Sequence, residues 1–220
     1  MAEQIVKLKK KQWYQILAPK QFENVVIGDT LVTEPQAMLG KTLTHSLMNL
    51  TNDIKRQNVN IHFKIVEIDG NNGRTKIIGY EIIPYSVKRF VRRNCEKMDL
   101  SFICETSDNV FLRAKPLIIT KADVKGSIAA KMRNGIVQFL IRTIKKMTYD
   151  EFINDLISHK IQSMMRENLC KVYPLKVCEI RYAGIEERTG RKESAPVTEA
   201  VEEVKAEEKP QSEEKAAEAQ

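Results

Sequence analysis

The chain has 220 residues, 42% of them apolar, with a formal net charge of +7. That length suits one domain with a substantial core and short extensions. No stretch approaches the roughly 20 apolar residues that cross a bilayer, and lysines interrupt Ile5, Val6 and Leu8 where a signal peptide would be apolar, so a soluble, intracellular protein is expected.

In chain order, residues 1–12 form a short basic arm with Lys7, Lys9, Lys10 and Lys11, expected to order only on a partner. Trp13 and Tyr14 follow. Trp13 reads first as a core anchor for the arm and second as a base-stacking surface beside the lysines. A strand is expected over 25–33, broken at Gly28-Asp29, and another over 42–51. Gly28-Asp29-Thr30 and Gly40-Lys41-Thr42 lack the full spacing of a phosphate loop, and no nucleotide triphosphate site is expected there. Val59, Ile61, Phe63 and Ile65 alternate as in a strand. Asp69-Gly70-Asn71-Asn72-Gly73 marks a hairpin turn, and the return strand runs over 74–83.

The region 84–147 reads as helix, β-hairpin, helix. A helix over 85–94 places Lys88, Arg89, Arg92 and Arg93 on one face, because positions three and four apart are neighbours. Met98, Leu100, Phe102 and Cys104 alternate as a strand. After the polar turn Ser107-Asp108-Asn109, a second strand over 110–120 carries Arg113 and Lys115. Pro116 has no N–H for a ladder, so this strand is expected to be an edge or to bulge. Lys121 and Lys125 lie in the connection that follows. Ser127 is the expected N-cap of a helix whose apolar face runs from Ile128 to Met147. Lys131, Asn134, Gln138, Arg142, Lys145 and Lys146 cluster opposite that face, and Arg133 lies on the same helix. Two basic helices flanking a basic strand favour a polyanion, although charge runs on helices are commonly just solvated faces.

Thr148 or Asp150 caps a third helix with Phe152, Ile153, Leu156 and Ile157. A fourth covers 160–171 with Met164 and Met165 as core filler. The last strand is expected over 175–184. From Arg188 on, 6 Lys or Arg face 9 Asp or Glu, a net charge of −3 that leaves residues 1–187 at +10. Such a body suits RNA, DNA or an anionic surface. The tail has no apolar periodicity and is expected to be disordered. The chain thus divides into a basic arm (1–12), a body (13–187) and an acidic tail (188–220).

Cys95, Cys104, Cys170 and Cys178 form no C-x-x-C pair, and no histidine stands at zinc spacing from them, so structural thiols and no metal are expected. His45, His62 and His159 are far apart. Nothing pairs Glu81, Asp99, Glu105 or Asp108 as acid and base, and no hydrolase or metalloprotease motif occurs, so no enzyme is expected. Seven strand candidates at short intervals with helices segregated from them indicate class α+β. The expected architecture is a mostly antiparallel β-barrel of about six or seven strands flanked by helices.

Taken together, Lys10-Lys11-Gln12-Trp13-Tyr14, Ala18-Pro19, Phe22, Gly28 to Thr33 and Leu47 to Asp53, then Arg92 to Lys121, then Arg133 through Lys145-Lys146-Met147 to Tyr173-Pro174-Leu175, resemble a known family. It is the archaeal and eukaryotic small-subunit ribosomal protein family called S three A e, or eukaryotic-type S one. The similarity covers about residues 7 to 185 and is loosest over 59–83. The chain lacks the longer extensions of eukaryotic members and is closer to the archaeal form. The resemblance implies a structural, non-catalytic ribosomal protein in the cytoplasm, with a β-barrel core and no cofactor. Its implied place is the platform of the small subunit near the messenger exit, with small-subunit rRNA, neighbouring ribosomal proteins and mRNA as partners, and neither a membrane nor a small-molecule substrate. The reading of the residues themselves leaves open a free RNA chaperone or regulator, a membrane-surface protein and a nuclease.

Overall fold

A computed structural model of the protein describes residues 10–186. Lys7, Lys9 and the acidic tail lie outside the described residues. The elements run β1 (Gln12–Leu17), β2 (Val26–Val32), β3 (Thr42–Ser46), α1 (Leu47–Thr51), β4 (Val59–Asp69), β5 (Asn72–Ile82), α2 (Pro84–Phe90), β6 (Lys97–Asp99), β7 (Phe102–Glu105), β8 (Phe111–Thr120), α3 (Gly126–Ile144), α4 (Tyr149–Ile157), α5 (Lys160–Cys170) and β9 (Leu175–Ile185).

The β4–β5 hairpin is the hub. Its two-residue turn is Gly70-Asn71, with Gly70 at φ 58° and Asp69 facing Asn72, as the glycine-rich turn predicts. Strand β4 carries β3 on its other edge. The free edge of β5 takes two strands end to end: β1, parallel through Gln15–Leu17, and β9, antiparallel through Gly79–Glu81. Strand β2 pairs with β1, β8 with β9, and both β6 and β7 with the far edge of β8.

The class is α+β, but the sheet is not the expected barrel. It has nine strands, one parallel pairing among antiparallel ones, and no pairing that joins β2 or β3 to β6 or β7. The inner face is filled by helices instead: α3 packs on β7 and α5, and α5 packs on β9. Phe63, Tyr80, Ile118 and Ile180 of the sheet meet Met132, Ile136, Leu140, Phe152, Ile161 and Met165 of the helices in one inaccessible core. Burying a side chain of this size stabilises by about 1.5–3 kcal/mol, so the helices hold the sheet's curvature without strand closure. A second cluster, Tyr14, Ile16, Val32, Met38 and Ile65, fills the bend under β1, β2 and β4.

Several local expectations change. Residues 12–17 form a strand, and its alternation separates the aromatic pair: Tyr14 is buried, whereas Trp13 is 70% exposed opposite Leu31. The anchor is therefore the tyrosine. Gly28-Asp29 does not interrupt β2. The segment 42–51 divides into β3 and α1, because Leu47 and Leu50 reach the core at helical spacing. Helix α2 ends at Phe90, with Val91 extended at ψ 130°. The N-cap of α3 is Lys125, not Ser127. Met165 is core, but Met164 is 47% exposed.

Pro116 does not sit on an edge, since β8 is paired on both sides, and the bulge beside it puts the extra residue, Arg181, on the facing strand β9. On one side Leu100 N–H donates to the Pro116 carbonyl at 3.3 Å, and proline has no N–H to return. The expected 98–105 strand breaks there into β6 and β7. On the other side the register with β9 slips between Lys115 and Pro116. Cys104 and Cys178 are buried and Cys95 and Cys170 are not, all four as free thiols.

Helix α4 has a complete capping box. The Thr148 hydroxyl accepts from Glu151 N–H at 3.3 Å, and Glu151 Oε2 accepts from Thr148 N–H at 3.0 Å. The next donor, Tyr149 N–H, is satisfied by Asp108 Oδ2 at 3.1 Å, which ties the β7–β8 turn to the helix. Thr148→Ala should lower stability by about 1 kcal/mol and Thr148→Ser by less, as read by urea unfolding followed by circular dichroism.

Candidate nucleic-acid interface

The four cations expected on one helix are divided. Lys88 and Arg89 are exposed on α2, while Arg92 and Arg93 are exposed in the non-helical segment after it, which turns at Arg93-Asn94. That segment is held against the β8–α3 connection. The Cys95 thiol donates to the Lys121 carbonyl at 3.6 Å, Glu96 N–H to Thr120 Oγ1 at 3.0 Å, and Arg133 Nη2 lies 3.7 Å from Glu96 Oε1. Lys121 N–H donates to the Pro174 carbonyl, and Lys176 Nζ donates to the Phe90 carbonyl at 3.4 Å. Arg92, Arg93, Lys121, Lys125 and Arg133 therefore project from neighbouring segments at one end of the sheet.

Helix α3 behaves as its periodicity predicts. Ala129, Met132, Ile136, Leu140 and Ile144 are buried, and Lys131, Asn134, Gln138 and Arg142 are exposed opposite them. Lys145 and Lys146 follow the last turn, where cations suit the helix dipole. Nineteen residues at about 1.5 Å each carry the chain roughly 28 Å, so these lysines stand at the far end, where Ser107 N–H donates to the Met147 carbonyl. The segment that carries Arg92 and Arg93 thus adjoins the first turns of α3, and Arg142, Lys145 and Lys146 lie toward the other end of that helix.

The remaining expected residues have diverse settings. Lys10 and Lys11 are exposed and lead directly into Trp13, while Tyr14 is in the second core cluster. Arg113 is bound within the protein. Its Nε and Nη2 donate to the two Glu186 oxygens at 2.8 and 2.6 Å, an interaction that raises its pKa and ties β8 to the end of β9. Lys115 stands 4.8 Å from the centre of the Tyr182 ring.

Among the described residues, two surface clefts bear on the charged side chains. The larger of these, of about 630 Å³, carries Lys20, Arg74 and Lys76 against Glu67 and Asp69 and has little preference for either sign of charge. The smaller, of about 290 Å³, lies beside α2 and is lined by Lys88, Lys97, Lys115 and Arg181 with Tyr182 and Glu81. Sequence reasoning missed Lys97, Arg181 and Tyr182, which sit on two strands far apart in the chain. Pro116 was the one available signal, because the slip it causes decides where β9 points its side chains.

A partly buried carboxyl also escaped the sequence reading. Glu179 on β9 has its Oε2 3.8 Å from His159 Nδ1, and burial pushes its carboxyl from 4.5 up to about 7, with Arg166 opposing. Burial and Arg56 lower the His159 pKa, so both groups favour their neutral forms. Among the described residues, no group of three or more His, Cys, Asp or Glu is arranged to hold a metal, and no helix is long and apolar enough to cross a membrane.

These features define a class: a basic α+β protein that buries its apolar stripes between one mixed sheet and its helices and turns its cations outward. The chain belongs to the ribosomal S3Ae family, whose model matches residues 3–188. It is 32% identical over 172 residues to the "Small ribosomal subunit protein eS1" of Methanothermobacter thermautotrophicus, covering 78% of this chain and 88% of that protein. The protein of the same name from Desulfurococcus amylolyticus is 28% identical over 174 residues, 79% of this chain and 82% of its own length. That of Haloarcula marismortui is 28% identical over 179 residues, 81% and 84% respectively. These relatives are archaeal, the type that the resemblance implied.

Because the Glu179 carboxyl holds its proton longer in the fold than in the unfolded chain, it lowers stability as pH rises from about 4.5 to about 7. Glu179→Gln removes that loss. The variant should be more stable than the parent by roughly 2 kcal/mol at pH 8, and the gain should vanish near pH 4, as measured by urea unfolding across the range.

Proposed function

We propose that the protein is a structural, non-catalytic constituent of the small ribosomal subunit, binding small-subunit rRNA at the platform near the messenger exit. Family membership supports the ribosomal role, and the resemblance of the three sequence blocks supports the platform. One observation from the fold carries the RNA reading: the outward cations Arg92, Arg93, Lys121 and Lys125 beside the outer face of α3. Each of these side chains is exposed, and on α3 the apolar stripe opposite the cations is buried. Neighbouring small-subunit proteins are further partners, and mRNA passing the exit is another. Lys10 and Lys11 with the exposed Trp13 form a second contact, with the indole free to stack on a base. Arg113 contributes to the fold rather than to this surface.

Binding through phosphates releases counterions, so affinity for the cognate rRNA fragment should fall with salt at a log–log slope of about −0.7 to −0.9 per phosphate neutralised. Affinity flat in salt would refute the reading. Replacing Arg92 and Arg93 together by Ala should weaken fragment binding and incorporation into subunits. Exposed substitutions typically change stability by about 0.5 kcal/mol or less, so the melting temperature should hardly move. A double variant that binds and incorporates normally would show that these arginines are only solvated. Dissociation of the parent from subunits in moderate salt would indicate a free RNA chaperone.

A further inference from the structure

The smaller cleft is built by a chain of local causes. Pro116 has no N–H, and the β8–β9 register slips beside it: Lys115 faces Tyr182, but Pro116 faces Ile180. Arg181 is the extra residue of that bulge. In a regular strand Arg181 and Tyr182 would point to opposite faces, yet both line the cleft. Gly184 then sets the ring. A Cβ there would stand 2.6 Å from the Tyr182 hydroxyl oxygen and 2.9 Å from its Cζ, so the phenol lies across the bare backbone of its own strand. Lys115 covers the ring from the neighbouring strand.

The charge of the cleft is uneven. Lys88, Lys97, Lys115 and Arg181 are opposed by Glu81 in the lining and by Asp99, which accepts from Lys97 at 3.2 Å and from Arg181 Nη1 at 2.9 Å. Glu81 is in turn 3.2 Å from His62. Four cations against two carboxylates leave two positive charges in excess. Asp99 engages both Arg181 and Lys97, so the groups left for a ligand are the ammoniums of Lys88 and Lys115, point charges suited to phosphate oxygens rather than to fork-like pairing with a carboxylate.

We propose that this cleft receives one unstacked nucleotide of a single-stranded RNA segment, its phosphate held by Lys88 and by Lys115, whose ammonium leaves the Tyr182 ring for the phosphate so that the base takes its place against the ring. The proposal rests on the reading of the protein as an RNA binder and adds a specific seat to it. A volume of about 290 Å³ excludes a duplex, and a base reaches an aromatic side chain only when it leaves its stack.

The test measures anisotropy of labelled hexauridylate and of a labelled RNA duplex of equal charge with the full chain at one low salt concentration. Tyr182→Leu and Gly184→Ala, which lifts the ring, should each weaken hexauridylate binding about tenfold and leave the duplex unaffected, and Tyr182→Phe should bind as the parent does. Lys88→Gln with Lys115→Gln should lessen the magnitude of the hexauridylate salt slope by about 1.4. Equal losses on both RNAs, or no loss on either, would overturn the nucleotide seat while leaving the phosphate-binding band in place. Displacement of hexauridylate by polyglutamate, with the polyglutamate affinity itself lost in Tyr182→Leu, would assign the cleft to an acidic protein segment and overturn the proposal. A parent protein that binds neither RNA would instead refute the underlying RNA reading.

Discussion

A proline in the middle of a strand paired on both edges is the constraint from which most of the irregularity follows. Strand β8 is the structural centre of the C-terminal half: Leu117, Ile118, Ile119 and Thr120 are fully buried, with β9 on one side and β6 and β7 on the other. A missing N–H there leaves one bond of the β6–β7 ladder unmade and breaks that strand in two. It also coincides with a slip against β9 that turns two consecutive side chains toward one cleft. The sheet tolerates this because the inner face is held by packing against α3, α4 and α5, which does not depend on any single ladder bond.

The distribution of charge follows from the same packing. Once α3 commits Met132, Ile136, Leu140 and Ile144 to the core, the residues opposite are forced outward, and those are the cations. Not every cation is available. Arg113 is clamped by Glu186, Arg181 by Asp99, and Arg133 lies near Glu96, whereas Lys131 and Arg142 on α3, Lys121 and Lys125 in the β8–α3 connection, and Arg92 and Arg93 beside it are exposed. Phosphate recognition over such a band is delocalised, and each contact contributes little specificity. A seat for a single nucleotide would add a local preference that the band lacks.

Sequence periodicity determined the parts of this protein that depend on neighbouring residues. The β4–β5 hairpin was legible because Gly70-Asn71 closes a two-residue turn between alternating apolar runs. The buried and exposed faces of α3 were equally legible, since they depend on residues three or four apart, and Thr148 was one of two candidate caps for α4. Net charge and the absence of catalytic motifs narrowed the function class, and the ordered blocks of residues pointed to the family. The tertiary structure decided whatever depends on partners distant in the chain. It placed Trp13 outside and Tyr14 inside, because that depends on which face of β1 the second core covers. It ended α2 before Arg92, bound Arg113 to a glutamate 73 residues away, and left the sheet open where short strands had suggested a barrel. The cleft joins α2, β5, β6, β8 and β9. Strand register and helix coverage are set by long-range burial, and no local pattern encodes them.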